Sequence, residues 1–251
     1  MSKKKKKEFR VPSRKQPIFK IFGKIFKLAY KADVESLIDE IPDKAIIVTN
    51  HSAKSGPMTL ELYYPKFNVK WAAHEMLGNY KSRFLYLRNI LYIQKMHKNK
   101  FVATIKATYE AVFSKCVYRG MKMLPTYPDI RIRHTIENSI KVLESNASVM
   151  IFPENSSLGY FDELQSVFPG FVMLAERYYK KTGEDVPVIP GYVSIKHQKI
   201  IVGKPLYVQE LMQEGLDRQG VADRFMEEIN ALYRTYFKDK EVKKNTKYIA
   251  E

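Results

Sequence analysis

The run AIIVTNHSAKSGP (residues 45–57) changes character in its middle. Ala45 to Thr49 form a short apolar run that reads as a buried strand. Asn50-His51-Ser52 and the residues up to Gly56-Pro57 read as a polar, turn-rich loop. The same change recurs twice. SVMIF (148–152) runs into PENSSLGY, and VPVIP (186–190) runs into GYV. VKWAA (69–73) reads as another strand, and VPVIPGYVSI (186–195) and KIIVGKPLYV (199–208) as consecutive ones.

Helical periodicity fills the intervals. MTLELYY begins a helix after the first loop, and a helical stretch lies near TIKATYEAVFSKCVY. In RHTIENSIKVLESN, Ile136, Ile140 and Leu143 share one face, and Asn146 suits the helix end. GFVMLAERYYKKTG stops at Gly183. A last helix over 217–238 aligns Val221, Phe225, Ile229, Leu232 and Tyr236. Strands alternating with helices predict an α/β fold, a sheet flanked by helices. The aromatic, basic stretch 78–120 is poorly punctuated; burial of Phe84, Leu85, Tyr86, Ile90, Leu91 and Tyr92 is expected, whether around a ligand tunnel or in plain core.

The chain has 251 residues and a net charge of +16, from 43 basic and 27 acidic side chains. Its single cysteine, Cys116, excludes a disulfide framework and a thiolate metal cage, and no metal is expected. No stretch has transmembrane length, and MSKKKKKEFRVPSRK lacks the apolar core of a signal peptide. Such a charge attracts nucleic acid or an anionic membrane. Zinc-finger spacing, RNP-like aromatics and a basic zipper are all missing, so nucleic acid is the weaker choice.

The charge pattern favours membrane. After Pro17, IFKIFGKIFKLAYK places Lys20, Lys24, Lys27 and Lys31 in one stripe of a helix. Ile18, Phe22, Ile25 and Ala29 lie opposite, flanked by Phe19, Ile21, Phe26 and Leu28. That is the pattern of a helix lying in a bilayer interface, with Phe19, Phe22 and Phe26 among its apolar contacts. A helix packed on the domain with solvated lysines has the same pattern. The expected organisation is a basic tail and amphipathic helix over 1–31, a catalytic-type α/β domain over 32–240 and a basic tail over 241–251. The expected location is cytoplasmic, peripheral on the inner face of the membrane.

Three strand-end loops at one sheet edge are where α/β proteins collect ligands. His51 is the side chain suited to remove a proton near neutrality. Glu154 surfaces where a strand ends, beside Asn155, Ser156 and Ser157, groups that bind hydroxyls and phosphate oxygens. Pro187, Pro190 and Gly191 suggest a rigid wall.

Together these loops resemble the glycerolipid acyltransferases, whose best-known members acylate lysophosphatidic acid. Four ordered blocks carry the resemblance: NHSAKSGP (50–57), GMKMLPTYPDIRIR (120–133), FPENSSLGY (152–160) and VPVIPGYV (186–193). AAHEML (72–77) is similar to the stretch the family carries between its first two blocks. The resemblance implies that fold, a mixed sheet flanked by helices, and a membrane-associated O-acyltransferase. His51 would be the general base and Glu154 part of the acceptor site, with Asn50, Asn155, Ser156 and Ser157 around it and Pro190-Gly191 shaping the pocket. The co-substrate would be acyl-CoA or acyl-carrier protein, with no further cofactor, and the acceptor a lysophospholipid or related lipid alcohol.

The chain departs from the family pattern at three places. Gly56 stands where the family has an aspartate, five residues after the histidine. Asn155, Ser156 and Ser157 replace Gly, Thr and Arg. Pro128 falls where an arginine belongs, leaving Arg131, Arg133 or Lys54 to substitute. Either a carboxylate arrives from elsewhere, with Asp129 and Glu75 as candidates, or the histidine works unassisted, or the chain binds lipid or acyl chain without turnover. If the position is simply vacant and the loop tolerates a side chain, Gly56→Asp is expected to raise activity; if the loop requires glycine there, aspartate strains it instead.

Overall fold

The computed structural model describes residues 9–13, 15, 17–52, 55–157 and 159–238. The lysine runs of both tails and Lys54 lie outside the described residues.

Helix α1 (Pro17–Ala29) is followed by an edge strand β1 (Asp33–Ser36) and by β2 (Ile46–Thr49). Helix α2 (Ser55–Tyr63) leads to β3 (Asn68–Ala73). A helical layer comes next. It holds α3 (His74–Leu77), α4 (Tyr80–Leu85), an unbroken π-helical continuation Tyr86–Lys95, and α5 (Lys100–Met121). Then follow β4 (Leu124–Thr126), α6 (Ile132–Glu144), β5 (Ser148–Ile151) and α7 (Gly170–Thr182). The chain continues through β6 (Val188–Ser194), β7 (Lys199–Val202), α8 (Val208–Gln213) and α9 (Arg218–Tyr233).

Among the described residues the strands form one mixed sheet in the order β1-β7-β6-β2-β5-β3-β4. All neighbouring pairs are parallel except β6 with β7. Parallel strands buried on both faces read as continuous apolar runs, which is why AIIVT and SVMIF are legible. Ile46, Val48, Val149, Ile151 and Val188 point into a core under α6, α7 and α9. Ile47, Met150, Ile189 and Val193 face the other way, toward Leu60 of α2 and Tyr64 just after it. A third cluster joins Leu87, Leu91 and Tyr92 to Ala103, Ala107 and Ala111 of α5.

Several expectations are corrected. β7 ends at Val202 rather than running to 208; Gly203 N–H still donates to the Pro190 carbonyl at 2.8 Å, Leu206 makes only an isolated bridge to Val188, and α8 begins at Val208. Strands β1 and β4 carry little apolar pattern and are not among the expected elements. Leu85 is exposed, not buried. In α1, Phe19 is buried rather than turned to a membrane. It packs so closely on Gly120 of α5 that a Cβ there would lie 2.6 Å from the Phe19 Cβ. Phe26 is half-buried, whereas Ile21, Phe22, Ile25 and Leu28 are exposed alongside Lys20, Lys24, Lys27 and Lys31.

A buried charge cluster anchors the approach to α1. The Lys70 ammonium, fully buried on β3, donates to Glu61 of α2 and to Asn68 Oδ1, both at 2.7 Å. Lys15 joins the same carboxylate at 3.2 Å and donates to the Asn68 and Met121 carbonyls. Burial, then repulsion from Lys70, brings the Lys15 ammonium down to about 8. Two cations share one anion, so removing that anion strands both.

Glu61→Ala is expected to cost about 3–5 kcal/mol of stability, seen as a lower urea midpoint at unchanged slope. A loss below about 1 kcal/mol would contradict this role. Lys15 releases its proton at about 8 in the folded chain against 10.5 for a free lysine, so across that interval the unfolded chain holds more protons and stability rises with pH. Lys15→Met should flatten that rise in a pH series of melts.

Candidate active site

Topology sets where a ligand can bind. From β2 the chain moves across the sheet to β3; from β5 it moves the other way to β6. Adjacent strands whose connections diverge leave a crevice at their carboxyl ends. The last paired residues of these two strands are Val48 and Ile151. His51 and Glu154 each lie three residues beyond, so the register that pairs the strands delivers both to one place.

The contact is direct. His51 N–H donates to the Glu154 carboxylate at 3.0 Å. Glu154 is held from behind by a short antiparallel bridge to Val167, with Phe168 N–H on the Pro153 carbonyl at 2.8 Å and Asn155 N–H on that of Ser166 at 2.9 Å. Burial raises the Glu154 carboxyl above its ordinary value, opposed by the His51 N–H and by Lys95. Asn50 fixes the other end of the loop. Its side-chain amide donates to the Val193 carbonyl at 3.0 Å and accepts from Val193 N–H at 2.8 Å, extending the sheet by one side chain.

Two rings set the plane of the His51 imidazole. Tyr160 stacks on it with centroids 5.3 Å apart, and Phe152 meets it edge-on at 5.1 Å. Lys95 reaches in from the π-helical segment. Its ammonium donates to Ser156 Oγ at 2.7 Å and sits 5.6 Å from the Tyr160 ring centroid. Burial lowers the Lys95 ammonium, with Glu154 pulling the other way.

His51 lies where two cavities meet. The larger, about 610 Å³, has a mainly apolar wall that also carries the charged and hydroxyl groups Glu154, Ser156, Lys95, Glu75 and Asp129. The smaller, about 120 Å³, has no charged side chain in its lining and runs past Met76, Leu87, Leu91, Val117, Tyr118 and Met121. Both share Trp71, Tyr86 and Phe152 with His51. Trp71 is anchored by its indole N–H on Ser139 Oγ at 2.8 Å.

The remaining expected residues are spread more widely. Ser156 is buried at the larger cavity; Ser157 is exposed, and Asn155 is used inside its own loop, accepting from Ser157 N–H. Arg131 is exposed, paired with Asp129 at 2.6 Å and seated 4.5 Å from the Tyr127 ring centroid at the rim. Arg133 is exposed on α6 and does not line the cavity. The third loop is a correction. Pro190 and Gly191 are interior residues of β6, paired with Val48 and Thr49, and line neither cavity. Paired strands on both sides hold this Pro-Gly extended. Of the candidate orienting acids, Asp129 pairs with Arg131 and Glu75 with His74 at 3.1 Å.

Phe152 and Tyr160 are the ends of the third block, and Tyr86 lies in the stretch expected to be buried, but no role at the site is read for them from the sequence. Lys95 and Trp71 carry no distinctive spacing; only the tertiary fold brings them in.

No protein-family model matches the sequence, and no curated protein matches it. Among solved structures, the crystal structure of the 1-acyl-sn-glycerophosphate acyltransferase PlsC from Thermotoga maritima is similar at 15% identity. The match covers 85% of this chain and 79% of that one, with a TM-score of 0.45.

The structure favours the second of the two expectations for Gly56. A Cβ at that position would stand 2.2 Å from the His51 carbonyl oxygen and 3.0 Å from its carbon. The first turn of α2 closes on the His51 main chain, and Gly56 N–H reaches the Ser52 carbonyl at 3.3 Å. Gly56→Asp is therefore expected to lower activity. Even Gly56→Ala should cost about 1–3 kcal/mol through forced backbone movement. A thermal melt of Gly56→Ala coinciding with wild type would refute the clash.

Proposed function

We propose that the chain is a lipid O-acyltransferase of the glycerolipid type, with His51 as general base. The observation that carries this is the position of the imidazole where a larger cavity that holds the charged side chains meets a smaller one that has none. An acceptor whose hydroxyl and phosphate sit beside Glu154 and Lys95 in the larger chamber reaches a base there, while an acyl chain enters along the apolar walls. The hydroxyl gives its proton to His51, its oxygen attacks the thioester carbonyl of acyl-CoA or acyl-carrier protein, and the thiol leaves. The same proton returns to the departing thiolate, so no covalent acyl-enzyme is required.

In this reading Glu154 positions the histidine through its main chain, and the Phe152 and Tyr160 rings limit its rotamers. They take over part of the orienting work of a triad carboxylate. Lys95, beside Ser156 and Glu154, offers the cation that the third block lacks, suited to the phosphate of a lysophospholipid. The exposed lysines and apolar residues of α1 hold the domain at an anionic, cytoplasmic membrane surface.

A second reading keeps the same pockets for binding lipid or acyl chain without turnover. The closed packing at Gly56 favours it, because the loop has no room for a carboxylate at that position.

Labelled acyl-CoA, or acyl-carrier protein, incubated with a panel of lysolipids separates the two. Turnover is expected to fall about 10²–10⁴-fold in His51→Ala. Lys95→Met should raise KM for a phosphate-bearing acceptor more than it lowers kcat. Binding of the lysolipid with no product in wild type would establish the second reading.

A further inference from the structure

Over residues 101–113 the fold buries one side of α5; further along, Phe19 of α1 covers Gly120. Ala103, Ala107 and Ala111 are fully buried against the π-helical segment, and Val117, Tyr118 and Met121 line the smaller cavity. The other side carries Phe101, Ile105, Tyr109, Val112 and Phe113, exposed by 75%, 44%, 66%, 56% and 69%. At 100° per residue these five and the exposed Cys116 fall within an arc of about 120°, and the stripe runs about 18 Å along the helix. Single exposed apolar residues are ordinary; a continuous aromatic-rich stripe marks a contact surface.

The charges beside the stripe say what it contacts. Lys106, Lys115 and Arg119 are exposed on α5 within reach of the stripe. The acid of this helix, Glu110, is half-buried and hydrogen-bonds Tyr92. A second copy of the same surface would bring cations against cations. An anionic bilayer meets both the rings and the charges. The neighbouring α1 has the same composition on its free side, with Ile21, Phe22, Ile25 and Leu28 beside exposed lysines. It is joined to α5 by Phe19 on Gly120.

We propose that α5 is a second membrane-contacting element, its aromatic stripe entering the interface of an anionic bilayer beside α1. The helix then stands between the bilayer and the smaller cavity, touching lipid on one side and lining the cavity with the other. This surface is separate from the chemistry at His51.

The native Cys116 is the only cysteine and lies on the stripe, so the full chain can be labelled there without substitution. With an environment-sensitive fluorophore, vesicles of equimolar phosphatidylcholine and phosphatidylglycerol are expected to blue-shift the emission and shield it from iodide. Pure phosphatidylcholine vesicles should do so less. In unlabelled protein, Phe101→Ser with Phe113→Ser, both at exposed positions, should weaken vesicle partitioning about tenfold or more with an unchanged circular dichroism spectrum. Vesicle-bound protein whose label stays open to iodide would overturn the proposal, as would a double variant binding as tightly as wild type. Burial of the label by self-association without lipid would overturn it too. None of these outcomes bears on turnover, which is read separately from His51.

Discussion

One hydrogen bond holds the candidate site together: His51 N–H on the Glu154 carboxylate at 3.0 Å. It joins the loops that leave the two central strands of the sheet. Each loop is tied elsewhere, Asn50 to β6 and Glu154 to the Val167 bridge, so the bond closes a frame rather than linking two free ends. A hydrogen bond to a charged acceptor contributes more than a neutral one, about 1.5–3 kcal/mol. Leaving a half-buried carboxylate without it would cost at least as much. The rings of Phe152 and Tyr160, the ammonium of Lys95 and the hydroxyl of Ser156 all take their places from this frame.

The frame also accounts for Gly56. The first turn of α2 lies directly on the His51 carbonyl, so the residue there has no Cβ for a packing reason. Aromatic contact also restricts the imidazole, with Tyr160 stacked on it and Phe152 edge-on.

Much of this is legible in the sequence. AIIVT and SVMIF are strands buried on both faces, and their shared exit into polar loops is enough to bring His51 and Glu154 to one sheet edge. Gly183, with φ of 76°, and Asn146, with φ of 58°, end their helices as their left-handed preferences suggest. What escapes a sequence reading is set by tertiary contact. Asp33–Ser36 is polar and forms a strand only because β7 offers a parallel edge. Pro190-Gly191 has turn chemistry, yet β2 and β7 on either side keep it extended. Phe19 belongs by periodicity to a lipid-facing stripe, and a glycine about a hundred residues later receives it. Lys95 arrives from a π-helical segment with no distinguishing pattern.

The His51–Glu154 bond can be observed directly in solution. In ¹⁵N-resolved NMR, the His51 amide proton should lie downfield and follow the ionisation of Glu154. Its midpoint should fall above the ordinary 4.5, since burial outweighs the opposing contacts. The titration should vanish in Glu154→Gln. A His51 amide shift that ignores pH through the carboxylate range, or one that titrates identically in Glu154→Gln, would contradict the account.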